Sequence, residues 1–151
     1  MPRKKPYQKK TFESAGAKSD ISANIYMSML ISAAWRELTP KQQVLYLYCK
    51  AQYYAEKKKP NGDPLYFTMN QSKWRGMYGL YKTNDEKSFY RDMSALISRG
   101  FVVCIESGKN TRTKSVYAFS DKWRVFGTSA FEILPNEMTT SMLKELRIKE
   151  S

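Results

Sequence analysis

Lys87 and Ser88 follow Asn84 by three and four residues and Arg91 follows it by seven, so a helix through this stretch carries them along one side. An amide, an ammonium, a hydroxyl and a guanidinium on one face do non-covalent chemistry. Arginine meets guanine O6 and N7, asparagine meets adenine N6 and N7, and lysine takes a base edge or a phosphate. A second set follows at Lys109, Asn110, Thr111, Arg112 and Lys114, in a polar stretch with three cations and no acid. That composition suits contact with a phosphate backbone, or an arginine in a narrow minor groove. Lys73 and Arg75 add candidate phosphate contacts. Arg3, Lys4, Lys5, Lys9 and Lys10 form a basic cluster near the N-terminus.

The rest of the composition narrows the chemistry. The chain of 151 residues has 26 Lys and Arg against 14 Asp and Glu, a net charge of +12, which attracts polyanions. It has no histidine, so a histidine base, a Ser-His or Cys-His pair and the usual Cys/His zinc site are excluded. Neither a phosphate-binding glycine loop nor a dinucleotide fingerprint occurs. The expectation is a protein that is not an enzyme, with no cofactor, no metal and no evident small-molecule ligand. Cys49 and Cys104 lie in apolar patterns and read as buried free thiols of a reduced compartment, a disulfide between them being the lesser alternative. Trp74 reads as core rather than as a base-stacking side chain. No apolar run reaches the roughly 18 residues of a membrane span, and a cytoplasmic protein is expected.

The elements that must position these residues follow from start and stop signals. Residues 1–20 hold six basic and two acidic side chains with little apolar periodicity. They read as a flexible basic arm that either engages DNA or aids solubility. From Ser22 to Leu38, apolar positions including Ile25, Met29, Ala33 and Leu38 predict one buried helical segment. Thr39-Pro40-Lys41-Gln42 combines a Thr cap, Pro at the first helical position and Gln at the third. The helix it opens is expected to bury Val44, Leu45, Tyr48, Cys49 and Ala55 and to end in a lysine run suited to the helix dipole. Pro60–Pro64 is a turn, and Leu65–Phe67 a short strand. Thr68-Met69-Asn70-Gln71 predicts a second helix through about Gly79, and Thr83-Asn84-Asp85-Glu86 a third that ends before Gly100, its left-handed C′ residue. In this third helix Phe89, Met93, Leu96 and Ile97 share a sector of about 100° that faces the core. Asp85 and Glu86 are expected nearer that buried side, away from the readout face.

Residues 101–106 and 115–120 form two strand candidates around the basic loop Gly108–Lys114, a hairpin with a cationic tip. Trp123 is expected to dock on the domain. After Pro135, Met138, Met142, Leu143 and Leu146 predict an amphipathic helix that folds back or pairs with another chain.

Helix, short strand, helix, turn, helix and hairpin is the order of a winged helix-turn-helix, in which the third helix enters the major groove. The fold expected is α+β: a basic arm at 1–20, a winged helix with an extra N-terminal helical segment at 21–127, and a helical extension at 128–151. From about Ile25 to Phe126 the chain also resembles a family. The matching stretches are Ile25-Tyr26-Met27, Leu38-Thr39 with Leu45-Tyr46, Asn61-Gly62 before Tyr66-Phe67-Thr68, and Leu96-Ile97-Ser98-Arg99-Gly100-Phe101-Val102. They resemble the N-terminal winged-helix domain of replication initiators of plasmids and integrative elements of Gram-positive bacteria. The resemblance implies DNA-contacting roles for Lys87, Ser88 and Arg91. The stretch from Thr68 to Gly100 is several residues longer than the family pattern, and the larger C-terminal part of such initiators is missing. An accessory, a regulator or a stand-alone binder is therefore expected rather than a full initiator.

The function expected is sequence-preferring binding of double-stranded DNA for a mobile genetic element, in replication initiation, transfer or its control. The alternatives are a winged-helix transcriptional repressor, which shares the site and dimerises through the C-terminal helix, and a protein-interaction winged helix that does not bind DNA.

Overall fold

The computed structural model describes residues 23–55, 58–82, 85–106 and 115–150. It is a mixed α+β structure. Helices α1 (Met27–Leu30), α2 (Ala33–Arg36) and α3 (Pro40–Ala55) precede strand β1 (Tyr66–Thr68). A π-helical turn (Ser72–Met77) then leads to α4 (Glu86–Ser98), strands β2 (Val102–Glu106) and β3 (Val116–Phe119), and α5 (Thr140–Glu150). The three strands form an antiparallel sheet in the order β1-β3-β2.

The Thr39 signal is realised in full. Thr39 Oγ1 accepts from Gln42 N at 3.3 Å, Gln42 Oε1 accepts from Thr39 N at 3.0 Å, and Pro40 opens α3. At the far end Lys59 Nζ donates to the carbonyls of Gln52 and Tyr53, each at 2.8 Å, meeting the negative end of the helix dipole. The buried face of α3 differs from the expected one. Leu45, Tyr46, Cys49 and Gln52 are buried, whereas Val44 is exposed and Tyr48 half-buried. Ala55's side chain lies outside the described residues.

Two helix expectations are corrected. The segment before Thr39 is two single turns, because Ser32 interrupts it. Its Oγ accepts from Trp35 N at 3.2 Å and donates to Met29 O at 2.6 Å, which ends one turn and caps the next. Among the described residues of this stretch only Met29, Ala34, Trp35 and Leu38 are buried. Thr68, in turn, is the last residue of β1 and opens no helix. Asn70 takes the capping role two residues later, its Oδ1 accepting from Lys73 N at 3.2 Å. The sheet holds Thr68 by pairing it with Val116, so the backbone turns only after Met69.

The third helix ends as expected. Gly100 has φ +88, with Gly100 N bonded to Ile97 O at 3.0 Å and Phe101 N to Leu96 O at 3.0 Å, the paired bonds of a Schellman stop. Behind it, Phe101 stacks on Trp123 with centroids 6.1 Å apart and meets Trp35 and Tyr46. β2 buries Val102, Val103 and Cys104 in succession, so its first half is covered on both faces. A bulge separates Cys104 from Glu106.

α5 folds back on the domain. Thr139 is buried, its Oγ1 accepts from Met142 N at 3.2 Å, and Met142 packs against the core. No helix among the described residues is long and apolar enough to cross a membrane.

Candidate nucleic-acid interface

α4 is positioned by its inner face. Phe89, Met93, Leu96 and Ile97 are each at most 1% exposed, and Met93 Sδ lies 3.9 Å from Cys49 Sγ of α3. Trp74 from the π-helical turn stacks on Phe89 at 5.0 Å. It is therefore a core residue, wedging the turn against α4.

That packing turns Lys87, Ser88 and Arg91 outward, Lys87 and Arg91 exposed and Ser88 half-buried. They line a groove of about 840 Å³ whose floor is the outer side of α4. One wall is Gln42 at the start of α3, and the other is Ser141, Met142 and Glu145 of α5. Ser94 ties the α5 wall in place through its 3.2 Å hydrogen bond with Thr139.

The acids lie differently from expectation. Asp85 and Glu86 also line the groove, Glu86 being exposed and Asp85 half-buried. Asp85 is the N-cap of α4 and Glu86 its first residue, ahead of the packed positions that begin at Phe89. With Glu145 they set three carboxylates beside the two cations of the groove. The described part of this face is therefore suited to directional hydrogen bonding more than to bulk attraction of phosphate.

A fourth acid lies underneath. Asp92 is 2% exposed, and its Oδ2 accepts from Tyr81 OH at 2.6 Å while Oδ1 accepts from Gln42 Nε2 at 3.1 Å. Arg91 Nε lies 3.6 Å from the same Oδ1, an ion pair longer than a hydrogen bond. Gln42 thus serves two elements, closing the cap of α3 with one side-chain atom and gripping α4 with the other. Burial, and then the bond to Asp92, push the Tyr81 hydroxyl far above its ordinary range, and Tyr81 acts as a neutral donor. Asp92 was not among the residues chosen from the sequence. Its signal is an acid three residues after Phe89 and four before Leu96, on the apolar sector.

The remaining expected residues fall in three groups. Lys73 does not project as a phosphate ligand, because its Nζ donates to Thr68 O at 2.9 Å and Thr68 Oγ1 at 3.2 Å, which ties the π-helical turn to β1. Arg75 is exposed. Asn84, the hairpin residues Lys109, Asn110, Thr111, Arg112 and Lys114, and the arm residues Arg3, Lys4, Lys5, Lys9 and Lys10 lie outside the described residues.

Both cysteines are free and buried. Burial pushes the Cys104 thiol up to about 11 and the Cys49 thiol higher still, so both are protonated and weak nucleophiles. Among the described residues no cluster of three or more acidic, cysteine or histidine side chains is arranged to hold a metal ion. Comparison with family models, with curated proteins and with solved structures returns no match.

Proposed function

We propose that this protein is a winged helix-turn-helix that binds double-stranded DNA with sequence preference, using α4 as the helix that enters the major groove. The observation that carries the reading is α4 itself. Its core side is fully packed, while Lys87, Ser88 and Arg91 stand outward on a chain of net charge +12. The sheet order β1-β3-β2 supports it, since a helix followed by a hairpin whose second strand pairs with an earlier short strand is the wing arrangement. In this reading the arm and the hairpin loop, both rich in Lys and Arg, supply salt-dependent attraction, and α4 supplies discrimination. A non-enzymatic role for a mobile element, in replication initiation, transfer or transcription control, fits a cytoplasmic protein of this kind.

Fluorescence anisotropy of labelled duplex DNA, titrated at several salt concentrations, tests the proposal. Wild type should bind random duplex with a dissociation constant of roughly micromolar order and weaken steeply as salt rises. Replacing Lys109 and Arg112 with alanine should flatten the salt slope. Arg91→Ala and Lys87→Ala should chiefly cost discrimination on a selected site, about 1–3 kcal/mol for each base no longer read. No binding at low salt by folded protein refutes the reading. That result would favour a protein-interaction winged helix, the role to which the acids Asp85, Glu86 and Glu145 in the groove are better suited.

A further inference from the structure

A cleft of about 570 Å³ opens between α3, the sheet and the turn Lys122–Val125, and it shares no residue with the α4 groove. Its volume lies in the ~300–1,000 Å³ range of small-ligand sites. Tyr46 and Trp123 form part of its floor, 4% and 8% exposed. Both are fixed from behind. Phe101 packs against the two rings, with centroids at 5.2 and 6.1 Å, and Trp123 N donates to Gly100 O at 3.1 Å. Their polar atoms, by contrast, are unused. No described residue hydrogen-bonds to Tyr46 OH or Trp123 Nε1, and neither atom is sealed from solvent. A tyrosine hydroxyl or an indole N–H this deep ordinarily finds a partner, and the cleft is where one can sit. Burial also pushes the Tyr46 hydroxyl far above its ordinary range, so it stays a neutral donor.

The mouth of the cleft is cationic. Lys50 Nζ lies 5.6 Å from the Phe119 ring centroid, and the Arg124 guanidinium lies 4.4 Å from that of Trp123. A ring face thus holds each cation at the cleft, Arg124 exposed and Lys50 half-buried. No described carboxylate pairs with either. Of the two acids in the cleft, Glu137 is taken by Lys122 and Leu134 N, and Asp121 is exposed. An anion at the mouth therefore meets two cations. Whatever enters below it meets two neutral donors beside the apolar side chains of Met29 and Val103. A nucleotide divides in the same way, with a phosphate at one end and a flat base carrying acceptors along its edge at the other. Asp121 is placed to accept from a base amino group.

We infer that this cleft binds an unpaired nucleotide, with its base against Tyr46 and Trp123 and its phosphate on Lys50 and Arg124. The nucleotide is either free or part of a single strand, because a duplex keeps its bases stacked and supplies one only by extruding it.

Calorimetric titration of the full chain with each deoxynucleoside monophosphate, with a short oligo(dT) strand and with inorganic phosphate tests this. At least one monophosphate should bind with a dissociation constant of roughly 0.1–1 mM, about tenfold or more tighter than inorganic phosphate. Tyr46→Phe removes a hydroxyl and no charge, and should weaken binding about fivefold, the worth of one neutral hydrogen bond. Lys50→Ala with Arg124→Ala should weaken it more than tenfold. Lys144→Ala with Arg147→Ala removes equal charge from exposed α5 surface and should leave it unchanged. In proton–nitrogen correlation spectra the indole signal of Trp123, identified by its loss in Trp123→Phe, should shift with nucleotide, and that of the core residue Trp74 should not. Far-ultraviolet circular dichroism verifies that each variant is folded. A strand that binds more than tenfold tighter than the monophosphates, and that the same substitutions weaken, assigns the site to single strands. Equal affinity assigns it to the free nucleotide. Monophosphates that bind no better than inorganic phosphate overturn the inference. So does strand binding that responds to salt but not to Tyr46→Phe or the Lys50/Arg124 pair of substitutions. None of these measurements uses duplex DNA, so the inference and the reading of α4 fail separately.

Discussion

Asp92→Ala should destabilise this protein by about 2–4 kcal/mol, although Asp92 is a charged side chain whose neighbour Arg91 stands in solvent. The magnitude comes from what the carboxylate holds. Tyr81 is 4% exposed and its hydroxyl donates to Asp92 at 2.6 Å. With the acceptor gone, that hydroxyl is stranded in the core at a cost of about 1–3 kcal/mol. Gln42, half-buried at the groove edge, loses its 3.1 Å bond but can turn to water, which adds about 1 kcal/mol. The Arg91 pair contributes little, because the arginine side chain is 70% exposed and solvent screens it. Release of a buried charge works in the opposite direction, which keeps the total below the sum of the two losses and a cavity. Asp92→Asn keeps one acceptor oxygen and should cost about half as much. Urea denaturation followed by tryptophan fluorescence reads the effect, with Trp74 packed against Tyr81 and Phe89 as a local reporter. A cycle with Tyr81→Phe should give a coupling of about 1–2 kcal/mol. An Asp92→Ala protein within about 0.5 kcal/mol of wild type, the ordinary range of surface substitutions, would refute the account of Asp92 as a buried hub.

Gly100→Ala should cost about 3 kcal/mol or more in the same denaturation assay. Its φ of +88 strains any Cβ, and that atom would meet Trp123 N at 2.5 Å and Lys122 C at 2.7 Å, both backbone, beyond the ~1–2 kcal/mol of the left-handed conformation alone. Gly62→Ala, at φ +71 with nothing within 4 Å, should cost only that smaller amount. The pair separates clash from strain. Glu137 should contribute a pH-dependent increment. Burial raises its pKa, but the hydrogen bonds from Lys122 and Leu134 N outweigh that and hold it below the ordinary value of 4.5. A depressed folded pKa gives stability that is present above the unfolded pKa and lost as pH falls through the folded one. Wild type and Glu137→Gln should therefore differ by up to about 1 kcal/mol at pH 7 and converge in the acid range, as thermal melts at pH 7 and pH 3 would show.

What the chain determined locally was legible in it. The Thr39–Gln42 cap, the Gly100 stop, the turn at Pro60–Pro64 and the apolar sector of α4 all depend on interactions within a few residues, and each is read from types and spacing. The outward placement of Lys87, Ser88 and Arg91 follows from that sector, because the helical period leaves no other side for them. The free, buried state of Cys49 and Cys104 also agrees with their apolar surroundings.

Competition between distant partners was decided only by the tertiary structure. Thr68 carries the same start signal as Thr39, but pairing with Val116 across the sheet held it in β1. Lys73 had the composition of a phosphate ligand until Thr68 took its ammonium. Asp92 became a hub only because Tyr81 and Gln42 converge on it from separate elements. The exposure of Val44 and Leu47 depends on which side of α3 the α4 helix chose, and Asp85 and Glu86 at the start of α4 line its groove. Spacing along one helix sets which residues share a side, whereas the partner each side meets is a contact across tens of residues that no local pattern encodes.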